Sequence, residues 1–241
     1  MALKLRTAAD GNAFSDSFRA ALTNRNPSTH IETRTETDML LYNTPLAPNP
    51  RRVRIFLAEK NVTIPIRDVN LMSHEHKQES YAAVNALEEV PALVLDDGAT
   101  LTESVAICRY IESLYPEPPL FGRGAREQAF VEMWQRRVEF RLFTPVGLAF
   151  RHSHPALARL ESPQLSQVAE LQRPRAQQMM RFLDGELASR RFVASDDFTI
   201  ADITAIVAMD LTKAARVDIP QDLPHLSRWR ADVSARPSAV P

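Results

Sequence analysis

Three short stretches of this sequence combine residue types that hold or activate a small polar ligand. The first is the turn Thr44-Pro45-Leu46-Ala47-Pro48-Asn49-Pro50, which runs into a segment carrying Arg51, Arg52 and Arg54. Hydroxyl and amide donors beside the unpaired N–H groups of a helix start suit a thiolate or another anion. The plainer use of the same residues is structural, with Asn49 as a helix N-cap and the arginines as a solvated face. The second stretch is Val90-Pro91, at the beginning of an apolar run. A proline there cannot donate to a sheet ladder, and a cis bond would turn the valine N–H and C=O outward. Such a pair holds a peptide-like backbone as an added strand would, although a proline that merely starts a strand looks the same in sequence. The third is Thr102-Glu103-Ser104, following a turn and opening a helix. The helix start and the Ser104 hydroxyl suit a carboxylate, and Glu103 suits an α-ammonium, so together they fit the zwitterionic end of an amino acid. Simple helix capping is again the alternative.

Other chemistries lack their residues. His74 and His76, and His152 and His154, are close pairs without the one-turn helical spacing of a zinc site, so no metal is expected. The single cysteine excludes a disulfide framework, and Cys108 lies on an apolar helix face as a buried thiol. With 6 glycines there is no G-x-G-x-x-G, Walker A or G-x-S-x-G string. Lys+Arg 29 against Asp+Glu 30 leaves a net charge of -1, which gives no bulk attraction to nucleic acid. No apolar run approaches the roughly 20 residues that span a bilayer, and the N-terminus lacks the apolar centre of an export signal. The expectation is a cytoplasmic protein with neither nucleic acid nor membrane as partner.

Positioning these stretches falls to two halves with different periodicity. Residues 1–38 are polar and expected to be poorly ordered, with at most a short amphipathic turn at 13–22; Met39 is an alternative start. Residues 39–121 read as strand, helix, strand, helix, strand, strand, helix, with a hairpin at Asp97-Gly98 and a helix stop at Asn61. A strand is expected around Ile64, Ile66 and Val69, and Ile107, Cys108, Ile111 and Leu114 share one helix face. Residues 122–241 read as all-helical, with helices at 125–151, 164–190, 200–215 and 223–235. Thr199 and Asp202 are spaced as a capping box.

In this order the pieces resemble a cytosolic-type glutathione transferase. The resemblance is carried by LYNTPLAPNPRRVRIFLAEK, by HEHKQESYAAVNALEEVPALVLDDGATLTESVAICRYIE and by FTIADI, and covers residues 39 to about 236. It implies a thioredoxin-like α/β N-terminal domain, an all-α C-terminal domain, a homodimer, and glutathione as cosubstrate in detoxification. Under it, Val90, preceding a cis Pro91, pairs with the cysteinyl backbone; Glu103 and Ser104 hold the γ-glutamyl end; His76 and Lys77 reach the glycyl carboxylate. Ala47 stands where serine- and cysteine-type members face the sulfur, and Ala47-Pro48-Asn49 is similar to the bacterial nu-type and yeast prion-like members. That likeness assigns the sulfur contact to Asn49, with Thr44 as a second hydroxyl. Glu88 and Glu89 depart from the usual string before Val-Pro and weaken carboxylate binding by repulsion. A hydrophobic electrophile would sit between the halves against Met133, Trp134, Arg137 and Phe140, residues that equally suit a core or dimer contact. Conjugation is the leading activity, glutathione-dependent disulfide or peroxide reduction the next, and a non-catalytic scaffold of the same fold the third.

Overall fold

A computed structural model of the chain describes residues 38–239. The short turn expected at 13–22 lies outside them.

Strand β1 (Leu40–Asn43) is central in a four-stranded sheet of order β2-β1-β3-β4. It leads into helix α1 (Pro48–Glu59), which returns the chain to β2 (Ile66–Asp68), parallel to β1. After a 3-10 turn (Glu75–Lys77) and a short helix α2 (Glu79–Ala82) come β3 (Ala92–Val94), antiparallel to β1, and β4 (Thr100–Leu101). Helix α3 (Ser104–Leu114) closes this half. Side chains alternate across the pleat, so Leu41 and Leu93 enter the main core while Tyr42 and Ala92 join Val69 and Tyr81 on the other face. The hairpin turns at Gly98, whose φ of 83° favours glycine, and closes with the Leu95 N–H donating to the Ala99 carbonyl at 2.8 Å. Asn61, with φ 52°, takes the left-handed conformation just past α1.

The expected alternation in the second strand is corrected in one respect. β2 is an edge strand with all three residues exposed, Ile66 included; Ile64 and Val69 are buried outside it.

From Gly124 onwards the regular elements among the described residues are helical, chiefly α4 (Gly124–Val138), α5 (Thr144–Ser153), α6 (Ser166–Leu187), α7 (Ile200–Ala215) and α8 (Pro224–Ser234). The single helix expected at 125–151 is interrupted by a π-helical turn, Glu139–Phe143. Its apolar spacing runs on through the interruption, so periodicity did not mark it. Helix α7 is buried along most of its length and starts at the capping box of Thr199 and Asp202.

Polar contacts brace α1, within its own half through Lys60 and across to the helical half through Glu59 and Arg51. Lys60, after its last turn, is buried against Glu112 and the Pro118 carbonyl. Glu59 takes a bidentate pair from Arg236 at 2.8 and 2.6 Å and a hydrogen bond from Ser238. Arg51 reaches Asp210 at 2.8 Å and the Ala239 carbonyl at 3.0 Å.

Candidate functional site

At one end of the sheet, the turn after β1, the loop before β3 and the start of α3 enclose a small pocket. Asn49, Asn85, Val90, Pro91, Glu103 and Ser104 line it. Each of its walls is held by side-chain hydrogen bonds.

The turn after β1 is pinned from two sides. The Thr44 hydroxyl donates to the Val69 carbonyl at 2.7 Å. Arg54 donates to the Pro45 carbonyl at 2.6 Å and to Asn43 Oδ1, while Asn43 Nδ2 donates to Asp68. Thr44 is thereby committed to the scaffold, and it does not line the pocket. Helix α1 begins one residue after Ala47, with Pro48 in its first turn. The N-cap is Ala47 and not Asn49, whose side chain is free to face the pocket because it has no capping role.

Two side chains hold the loop before β3 by one carbonyl. The Tyr81 hydroxyl and Asn85 Nδ2 both donate to the Glu89 carbonyl, at 2.6 and 2.8 Å. Burial, with Tyr42 nearby, pushes the Tyr81 phenol up to about 12, so it stays a donor through the physiological range. The Val90-Pro91 peptide is cis.

Glu103 precedes α3 with φ 62° and ψ 111°, a conformation that costs a non-glycine residue on the order of 1–3 kcal/mol. Ser104, the first residue of α3, is 6% exposed, so its hydroxyl sits at the pocket floor. Beneath it lies Arg52, which bonds both Ser104 and Asn49. The solvated face, one of the two uses open to the arginines in sequence, does not fit Arg52, which is enclosed. Its spacing four residues before Phe56, a core residue, is the one local sign of that burial.

His76 and Lys77 lie in the 3-10 turn and do not line this pocket. Lys77 pairs with Glu88 at 2.5 Å, so that acid is already partnered. His76 is buried, and its Nδ1 has no hydrogen-bond partner. Burial first, then Lys77 and His74, hold its pKa below the ordinary histidine value.

The four residues suggested for an electrophile separate. Trp134 is 2% exposed, stacked on Phe182 at 5.9 Å with Arg190 over its ring at 4.2 Å. It is a core residue of the helical half and offers no open surface to a ligand. Met133 packs against the core, Arg137 lies 4.7 Å over the Trp134 ring, and Phe140, in the π-helical turn, is 62% exposed. Among the described residues, no three His, Cys, Asp or Glu side chains are grouped to hold a metal ion.

The family model for the glutathione S-transferase N-terminal domain matches residues 41–119, and that for the C-terminal domain matches residues 143–237. Over 203 residues the chain is 36% identical to glutathione S-transferase 2 of Saccharomyces cerevisiae, covering 83% of this chain and 87% of that protein. A glutathione S-transferase domain-containing protein of Marinobacter aquaeolei VT8 is similar in structure, with a TM-score of 0.80, 39% identity, and coverage of 83% of this chain and 100% of that one. Gtt2 from Saccharomyces cerevisiae has a TM-score of 0.79 at 35% identity, covering 83% of this chain and 98% of its own.

Proposed function

Because the chain belongs to the glutathione S-transferase family, we propose that the pocket between α1, the Val90 loop and α3 binds reduced glutathione and activates its thiol for transfer to an electrophile. The observation that carries this assignment is convergence. Asn49, Val90 and the pair Glu103-Ser104 come from three separate stretches of the chain, each with a different part of one tripeptide to recognise, and they line one small pocket. Val90 pairs with the cysteinyl backbone. Ser104 and the free N–H groups of α3 take the γ-glutamyl carboxylate, and Glu103 takes the α-ammonium. The glycyl carboxylate falls to His76 and Lys77, outside the small pocket, with Lys77 shared between that group and Glu88.

A thiol with a pKa near ~8.5 is mostly protonated at neutral pH, and each unit of lowering represents about 1.4 kcal/mol of preferential stabilisation of the thiolate. Ala47 has no side-chain donor, so that stabilisation falls to the Asn49 amide and the N–H groups at the start of α1. The thiolate sulfur then bonds to an electrophilic atom, and the leaving group departs with the electrons of the broken bond. The electrophile approaches from the helical half, near Met133, Arg137 and the exposed Phe140. Residues 39–121 and 122–241 serve as glutathione-binding and helical domains, and the protein works as a cytoplasmic homodimer in detoxification. No helix among the described residues is long and apolar enough to cross a membrane.

Calorimetric titration with reduced glutathione tests the assignment. Saturable binding near one per chain, lost in a folded Ser104→Ala variant, is the expected result. Absence of binding by the unaltered protein refutes it. With binding established, aryl halide conjugation reports transfer, whereas turnover of a mixed disulfide alone would redirect the chemistry to reduction.

A further inference from the structure

The three arginines of α1 have different surroundings. Arg51 reaches Asp210 and the Ala239 carbonyl, and Arg54 grips the turn after β1. Arg52, with a side chain 1% exposed, points beneath the pocket. Its Nη1 donates to Asn49 Oδ1 at 3.1 Å and to Ser104 Oγ at 2.5 Å. Its Nε donates to Thr204 Oγ1 at 3.0 Å, and that hydroxyl donates onward to Gln135 Oε1 at 2.8 Å. The Phe143 ring lies 4.3 Å from the guanidinium carbon. The π-helical turn brings this ring and Glu139 to the site.

Arginine carries N–H donors and no acceptor. The Asn49 amide atom that faces Nη1 must therefore be the oxygen, which sets the two Nδ2 hydrogens on the other side of the amide. The same logic holds for Ser104: an oxygen already accepting from Arg52 keeps its own hydrogen for a different acceptor. A lone serine or asparagine can offer a ligand either a donor or an acceptor. Over Arg52, both offer donors.

The charge itself is poorly neutralised. Its nearest carboxylate is Glu139, 4.0 Å from Nη1 and beyond hydrogen-bonding distance, and Nη2 has no hydrogen-bond partner. Of the other groups facing this region, α3 contributes Cys108, whose thiol burial keeps protonated, with Glu103 just before it. Helices α7 and α4 contribute the neutral Thr204 and Gln135, and Glu89 borders the pocket from the loop before β3.

We propose that Arg52 is the positioning residue of the glutathione site: it turns the Asn49 amide and the Ser104 hydroxyl so that both donate to the ligand, and keeps a positive charge beneath them. The inference rests on the glutathione assignment above. It makes Arg52 a contributor to catalysis without contact with the substrate, acting through Asn49 on the sulfur and through Ser104 on the γ-glutamyl carboxylate.

The test uses Arg52→Gln and Arg52→Lys in the full chain, titrated with reduced glutathione and with S-methylglutathione. The pKa of the bound thiol is read from thiolate ultraviolet absorbance across pH. In Arg52→Gln, affinity for both ligands should fall about tenfold, and the bound-thiol pKa should rise by about one unit. Arg52→Lys keeps the charge but loses the planar fork, so affinity should fall while most of the pKa lowering is retained. A merely structural arginine would lower the unfolding temperature and leave the bound-thiol pKa unmoved; that result in Arg52→Gln overturns the inference. If Arg52→Gln does not fold, wild-type affinity in Arg52→Lys overturns it instead. Failure of the unaltered protein to bind either ligand removes the glutathione assignment itself, and this inference with it.

Discussion

The indole N–H of Trp229, in α8, donates to Asp202 Oδ1 at 2.8 Å, joining α8 to the first turn of α7 inside the core. The same oxygen accepts from the Val193 N–H at 2.8 Å, and Oδ2 accepts from the Thr199 N–H and hydroxyl at 3.0 Å each. Four donors therefore converge on one enclosed carboxyl group, which burial pushes up to about 6. Asp202→Asn would turn an amide N–H₂ towards those donors. It should lower stability by roughly 2–4 kcal/mol in denaturant unfolding, more than loss of a cap alone. Once folded, the variant should bind glutathione as the unaltered protein does, because Asp202 does not line the pocket.

Asn49 separates binding from turnover. In the proposed function its amide takes the sulfur alone, and Val90, Glu103 and Ser104 take the rest of the tripeptide. Asn49→Ala should therefore reduce kcat roughly tenfold in steady-state conjugation, with the KM for glutathione changed by less than about threefold. A fall in affinity that matches the fall in turnover would place the amide elsewhere on the ligand.

His76 should make both stability and glutathione binding respond to acid. Its folded pKa lies below the ordinary value of 6.5, so the folded state holds fewer protons than the unfolded state in that region. The resulting stability is present above pH 6.5 and is lost as pH falls through the lower, folded value. Relative to His76→Gln, the unaltered protein should lose stability on acidification below that point. A glycyl carboxylate beside the imidazole favours its charged form, so glutathione binding should take up protons there. Calorimetry in buffers of different ionisation enthalpy measures that uptake, and none is expected in His76→Gln.

Cys108 should be silent. It is the single cysteine, fully buried, with its thiol held well above the ordinary range by burial. A colorimetric thiol reagent should label no cysteine in the folded protein and one per chain after denaturation. Reaction at a rate comparable with a free thiol, under native conditions, would contradict the enclosed placement.

What could be read from the sequence was mostly what is local. The hairpin at Asp97-Gly98, the αL residue Asn61 and the capping box between Thr199 and Asp202 depend on neighbours within a few residues, and each was legible. Val90, Pro91, Glu103 and Ser104 stood out because they begin elements, where backbone groups are left free. Arg52 did not, since its burial depends on Ser104, 52 residues away, and Thr204, 152 residues away. Trp134 was legible as apolar on an amphipathic helix, but spacing alone does not distinguish a face turned to a ligand from one turned to Phe182. The π-helical turn was hidden for a related reason: one extra residue within a turn leaves the apolar stripe nearly continuous.

The clasp between Glu59 and Arg236 spans 177 positions of sequence. During synthesis, α1 leaves the ribosome long before residues 236–239, which hold Glu59 and Arg51. At about 5–20 residues per second, that interval lasts on the order of ten seconds or more. The N-terminal half therefore spends its early life without these two contacts of its first helix, on which the candidate pocket is also built. Closure of the clasp on that helix is in this sense a late event, set by translation time.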